Sequence, residues 1–352
     1  MTADYSRLDD ALVRLQPFGT ELSNGFTSHA PMVVEALSAL GRSGDVLPWL
    51  DGAMATFVAR PGETDPIDPD QWDGALGSRK RFADWSLFFV QQLDSHPWTD
   101  VVATWAPRLA PGICSDATHG AIRTGHAVRA MAQAQTPARR AELADALASW
   151  ADTFQVLPEA TYEGAPLAPD AALAAVPVIA PDARKAYGSI VMDLMQLDDV
   201  SEFAPVVHML DIAADADPNV VIPDLAALFA RVAVANVRDF SSAIVFIHSV
   251  TALVALWRLS PYLPADTLVT AIRYGWQASA GLYAVYATHP PAAPSDCLPV
   301  SFEALIDRAV VNGDDHAIKF AEACHVLNAA QPDPAFGAAL DVVLAQIAPL
   351  QS

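Results

Sequence analysis

Nine histidines are spread through a chain of 352 residues, and five of them sit where chemistry could be assembled. His29 lies in SHAPMVVEALSAL, His119 and His126 in HGAIRTGHAVRAM, and His248 in FSSAIVFIHSVTALVALWRL. His316 lies in DDHAIKFAEAC, with Lys319 one helical turn further on. Imidazole is the commonest metal ligand and the usual acid or base near neutral pH. Imidazoles on the inward faces of several helices, far apart in sequence, point to one site built in the core of a helical domain.

The spacings say what each could do. His119 and His126 are seven residues apart, so they share a helix face about 10 Å apart along the axis. That exceeds the four-residue spacing of a helical zinc pair. Both reach one metal only by leaning together; otherwise one supports the other, or both are core histidines bonded to backbone carbonyls. Gly120 and Gly125 are expected to leave open space beside the rings, and Arg123 to hold a carbonyl or anionic group of a substrate. His29 begins a helix, with Ser28 or Thr27 as cap and Pro31 in the first turn. A positive helix end disfavours imidazolium and so favours the neutral ring that a metal binds. His248 lies mid-helix among Ile244, Val245, Ile247, Thr251 and Ala252, where a buried imidazole needs a partner: a metal, a hydroxyl or a carbonyl. Lys319 shares a face with His316. On a solvated face it would simply pair with Asp315; buried, it could lose its proton and add carbon dioxide to become an anionic carbamate ligand. His96, His208, His289 and His325 lack such context.

The elements that must position these residues read as helix after helix. Apolar residues recur three and four apart over 6–16, 31–40, 79–93, 116–135, 138–154, 225–237, 241–259, 268–286, 315–327 and 336–347. Prolines 48, 97, 107, 111, 137, 158, 261, 264 and 334 fall at or between segments. Alternating strands with turn signals are absent. Residues 59–72 and 288–299 read as long ordered loops. The fold class is all-α: one large multi-helix domain over residues 1–352, or two helical halves sharing one core.

Composition bounds the partners. Hydrophobic residues make up 53 % and charged residues 17 %, which requires helices buried on most sides. The formal net charge is −21, which repels phosphate backbones and argues against nucleic acid. No polybasic run would hold the chain to an anionic membrane. The stretch 241–257 carries no formal charge, but its serines, threonine and histidine read as a buried helix of a soluble protein. No secretory signal is visible, and Cys114, Cys297 and Cys324 form no CxxC pair, so the expected location is a reducing cytoplasm. GxGxxG after a strand, a Walker loop, GxSxG and HExxH are all missing.

Taken in order, SHAPMVVEALSALG with LPWL, WAPRLAPGICSDATHGAIRTGHAVRAM, ELADALASWADTFQVLP, IHSVTALVALWRL and DDHAIKFAEAC resemble the questin oxidase-like family, from about residue 28 to residue 324. The central HGAIRTGHAVRA stretch is the most specific. The resemblance implies a non-haem iron(II) oxygenase acting on an aromatic polyketide such as an anthraquinone, by oxidative ring cleavage or a Baeyer–Villiger-like step, with dioxygen and with NADPH as a co-substrate. It implies metal ligands drawn from His29, His119, His126, His248 and His316, with Lys319, carbamylated, beside them. Trp72, Phe82, Trp85, Phe88, Phe89 and Trp257 are candidates to line an aromatic pocket, and Arg123 to orient a phenolate or carbonyl oxygen. Two other readings of the same residues are a zinc hydrolase using histidines and a carbamylated lysine, and a non-enzymatic helical ligand carrier. The oligomeric state is not encoded legibly.

Overall fold

A computed structural model describes residues 2–350. In chain order the α-helices are α1 (Leu8–Leu15), α2 (Ala30–Ala39), α3 (Ser43–Ala53), α4 (Phe82–Ser95), α5 (Trp98–Leu109), α6 (His119–Gln133), α7 (Pro137–Asp152) and α8 (Pro169–Ala175). There follow α9 (Ile190–Leu194), α10 (Pro218–Asn236), α11 (Phe240–Leu259), α12 (Ala265–Tyr286), α13 (Phe302–Asn312), α14 (Asp315–Ala330) and α15 (Pro334–Leu344). The fold is predominantly all-α, as the periodicity requires. One short antiparallel ribbon, β1 (Phe18–Leu22) with β2 (Phe57–Ala59), is added to what the sequence pattern shows.

Local chemistry sets most helix starts. Asp239 and Ser242 form a reciprocal capping box at α11. Thr136, Asp217 and Asp333 cap α7, α10 and α15, each followed by a proline at the first helical position. Pro48 and Pro107, expected between segments, instead lie inside α3 and α5. Each removes one helical hydrogen bond. The largest departure is at α6. The expected helix over 116–135 begins only at His119, because Asp116, Ala117 and Thr118 take left-handed backbone conformations.

The two long connections are tied down. Asp84 accepts from the backbone N–H of Thr64 (2.7 Å) and Asp65 (3.1 Å) in the 59–72 stretch. Asn236 accepts from the backbone N–H of Thr288 (2.8 Å) and His289 (2.9 Å) at the start of the 288–299 stretch.

The packing centre is α11, which contacts α6, α10, α12 and α14. By length and composition α10 and Phe240–Tyr262 could each cross a membrane; here α11 is buried within the protein, with His248 only 1 % exposed. Two apolar cores are distinct. The larger spans α4 to α15; a smaller one joins α1, α2 and α3 through Leu8, Leu12, Val33, Leu37, Val46 and Leu50. Between them run α2, α6, α11 and α14, whose facing sides carry the polar residues of interest.

Gly120 and Gly125 do not leave open space. A Cβ at Gly120 would stand 2.6 Å from Trp150 Cα, and one at Gly125 2.8 Å from Ala255 Cα. The two glycines let α6 press against α7 and α11, so they fix how deep His119 sits. Gly120→Ala is expected to lower stability by about 1–3 kcal/mol through overpacking, against the small gain in helix propensity. A melting temperature equal to wild type in a thermal denaturation would show that the helices can part without cost.

Candidate metal centre

Four imidazoles from four helices meet at one point. His29 Nε2 lies 2.8 Å from His119 Nε2, and His248 Nε2 lies 3.0 Å from the same atom. The His316 ring stands 4.5 Å from His29 and 5.6 Å from His248 between centroids. His29, His119 and His316 offer ligand atoms within 4.8 Å of one another. His29 and His119 are 6 % and 8 % exposed.

Three of the four rings stand at helix starts. His29 is the N-cap of α2, His119 the first residue of α6, and His316 the second residue of α14, whose cap Asp314 accepts from the backbone N–H of His316 (2.8 Å). Positive helix ends and burial both work against imidazolium. Burial holds His29 and His248 well below the usual histidine range and lowers His119 despite Asp116 beside it. His316 alone is raised, because Asp315 outweighs the cost of burial.

Hydrogen bonds on the far side of each ring decide which nitrogen is free. His29 Nδ1 donates to Asp315 Oδ2 (2.7 Å) and His248 Nδ1 to the carbonyl of Ile244 (2.7 Å). With Nδ1 protonated, both Nε2 atoms carry lone pairs directed at His119 Nε2. A proton on His119 Nε2 would have to be shared between two acceptors, and without it three lone pairs face one another. A cation beside His119 Nε2 would relieve this, and the donor atoms that lie within 4.8 Å of one another belong to His29, His119 and His316. Nitrogens about 2.1 Å from one ion at right angles are about 3 Å apart, and the two observed separations match. His119 Nδ1 faces Asp116 Oδ2 at 3.5 Å, beyond hydrogen-bond reach. His316 Nδ1 is 2.7 Å from Asp315 Oδ1 but misaligned, an ion-pair contact without a hydrogen bond. The donor set therefore fits a borderline divalent cation held by nitrogen, with carboxylates behind the rings.

Lys319 is 2 % exposed, so it is not the solvated partner of Asp315. Asp315 is engaged with His29 and His316 instead. Burial brings the Lys319 ammonium down to about 8, with Asp315 and Asp314 opposing.

His126 goes elsewhere. Its Nδ1 contacts Glu35 Oε2 at 2.6 Å, in a buried network one level along the same four helices. Arg129 Nε donates to Glu35 Oε1 (2.7 Å), Arg129 also pairs with Glu322, and Arg258 pairs with Glu322. Of the expected ligands, His29, His119, His248 and His316 come together with Lys319 nearby; His126 is occupied by a carboxylate. The expectation for Arg123 also needs correcting. Its Nε and Nη2 both donate to Glu142 (2.7 and 2.8 Å), and the pocket it lines, with Leu12, Phe18, Ser28 and Glu142, includes none of the four imidazoles. The aromatic candidates pack on one another: Trp85, Phe88, Phe89 and Trp72 surround Trp105 at 4.9–6.0 Å between centroids. Trp257 donates to Asn219 (3.0 Å).

Thr27, read as a candidate helix cap, instead donates to Asp116 Oδ2 (2.5 Å), and Asp116, Glu35 and Glu322 were passed over by the sequence reading. Single acids in mainly apolar helical runs, MVVEALSAL and IKFAEACHVL, were the visible signal for the last two, since a buried carboxylate must be paired.

The ion network predicts acid sensitivity. Burial, with Arg258 adding to it, lowers His126 to about 4, below the unfolded value near 6.5. Between those limits the unfolded chain binds a proton that folded His126 refuses, so stability is full above pH 6.5 and falls as pH drops toward 4. Glu322 is held at about 2 against burial by Arg129 and Arg258, so its contribution is lost below pH 4.5. Melting of metal-free protein is expected to weaken steadily with acid, and His126→Asn to flatten the upper window by roughly 3 kcal/mol. Identical pH profiles for the two proteins would contradict the assignment.

Comparison with curated proteins finds no match. Residues 26–324 match the family described as questin oxidase-like, a span that contains all four imidazoles, Lys319 and the ion network. The chain therefore belongs to the questin oxidase-like family, whose membership carries oxidoreductase chemistry on polyketide-type small molecules.

Proposed function

We propose that the protein is a non-haem iron(II) oxygenase acting on an aromatic polyketide of the anthraquinone type, by oxidative ring cleavage or a Baeyer–Villiger-like insertion. The observation that supports it most is the convergence of four buried imidazoles: His119 Nε2 lies 2.8 Å from His29 Nε2 and 3.0 Å from His248 Nε2, and His29, His119 and His316 offer donor atoms within 4.8 Å of one another. His29, His119, His248 and His316 would supply the ligands. Iron(II), when bound, supplies activation of dioxygen and polarisation of a quinone carbonyl.

The chain's own residues then have defined tasks. Asp315 keeps the proton on His29 Nδ1 and the Ile244 carbonyl keeps it on His248 Nδ1, so that neither ring can turn its lone pair away. Met32, Ile122 and Ala255 form a small apolar layer between the imidazoles and the ion network, which excludes water from that side. Lys319 near pH 8 is divided between ammonium and free amine. The amine nitrogen can bond to the carbon of carbon dioxide, with loss of one proton, giving a carbamate oxygen donor. NADPH serves in this reading as a diffusible reductant. The three free, buried cysteines suit a reducing cytoplasm.

Elemental analysis and oxygen uptake with a hydroxylated anthraquinone test the proposal. The expected result is iron in stoichiometric amount and substrate-dependent oxygen consumption. His119→Ala and His248→Ala should each lose at least tenfold in iron affinity and lose oxygen uptake. Stoichiometric zinc without oxygen uptake would favour a hydrolase, and protein free of transition metal after expression in iron-supplemented medium would favour a ligand carrier; either result overturns the oxygenase.

A further inference from the structure

Immediately before His119 the backbone does something costly. Asp116, Ala117 and Thr118 have φ of 48°, 53° and 71°, three successive left-handed residues that all bear a Cβ. Such conformations are disfavoured for these residue types and persist where surrounding structure enforces them, often at functional sites. The usual compensation is missing. Thr118 occupies the N-cap of α6, yet its buried Oγ1 has no hydrogen-bond partner among the described residues and caps nothing.

What the turn accomplishes is the placement of one carboxylate. Asp116 Oδ2 accepts from Thr27 Oγ1 at 2.5 Å, two residues before His29, and faces His119 Nδ1 at 3.5 Å. The other two convergent rings each have an acceptor fixed at Nδ1. For His119 the carboxylate of Asp116 is the acceptor in the corresponding place, and Nδ1 is otherwise unpartnered among the described residues.

We propose that Asp116 is the positioning residue for His119, and that the left-handed turn and Thr27 hold its carboxylate where it selects the Nδ1–H tautomer and aims Nε2 at the lone pairs of His29 and His248. This role rests on the metal-centre reading above. Asp116 acts through the ring rather than on an ion or substrate, and its 3.5 Å contact is of the long kind found in unliganded sites. Thr27 ties the carboxylate to the segment that carries His29, so one side chain sets two adjacent rings.

The test is a Co2+ titration of full-length, metal-stripped protein, followed by the visible absorption of the bound ion, with thermal melting in parallel. Asp116→Asn is expected to weaken Co2+ binding ten- to hundredfold and to change the spectrum, with little change in melting of the metal-free protein. Thr27→Val should weaken binding several-fold in the same sense, and decides the matter if Asp116→Asn fails to fold. Ala117→Gly should not lower the melting temperature, since glycine is at ease in the left-handed region, but should weaken binding by loosening the turn. Co2+ binding within twofold of wild type for Asp116→Asn and Thr27→Val, whether or not melting falls, overturns the positioning role and leaves the metal centre standing. A wild-type protein that binds no Co2+ overturns both.

Discussion

His119 Nε2 stands between two buried imidazole nitrogens that both carry lone pairs, an unstable arrangement unless a proton or a cation is shared among them. That constraint organises the rest of the molecule. His119 Nε2 stands 2.8 Å from one such atom and 3.0 Å from another, and the Nδ1 bonds of His29 and His248 prevent those rings from flipping to relieve it. Burial, with the starts of α2 and α6 adding to it, removes protonation as the easy escape for His29, His119 and His248. Negative charge is nearby, on Asp116, Asp314 and Asp315, each in contact with at least one of the rings.

The four helices that bear the imidazoles are layered. His29, His119, His248 and His316 form one level; Met32, Ile122 and Ala255 form an apolar level beside it; Glu35, His126, Arg129, Arg258 and Glu322 form the next. The outer level pairs two carboxylates with two guanidinium groups, so charge cancels within it. A buried ion pair of this kind contributes little net stability relative to an apolar core, but losing one partner is costly, which makes the register of the helices all-or-none. Gly120 and Gly125 allow α6 to lie against α7 and α11 at a depth that a side chain at either position would forbid. The imidazoles thus meet because rigid neighbours on both sides leave α6 one place to sit.

Much of this was legible in the chain. Helical periodicity located α6, α11 and α14 and marked His29 as a helix start. It could not see where α6 begins, because the left-handed run at Asp116–Ala117–Thr118 is made of residues that ordinarily continue a helix. It could not separate His126 from His119 either. Seven residues put both on one face, but the first meets α2 at the level of His29 and the second at the level of Glu35, a partner chosen by the neighbouring helix. Arg123 illustrates the same limit: a buried guanidinium needs an anion, and the sequence does not say that Glu142 on α7 supplies it. The aromatic run of α4 was a candidate pocket wall and proved to be ordinary packing around Trp105.

By itself the sequence determined the kind of structure and the cast of residues: an all-α fold, inward-facing histidines on separate helices, and a family match running through them. Periodicity and residue chemistry are local properties, and a local reading suffices for them. Only the tertiary structure decided which ring meets which, which nitrogen is free, and that Lys319 is buried rather than solvated. Those outcomes depend on helix axial offset and on contacts between residues 90 to 286 positions apart, and a shift of one turn in any one of the four helices would give the same sequence a different site.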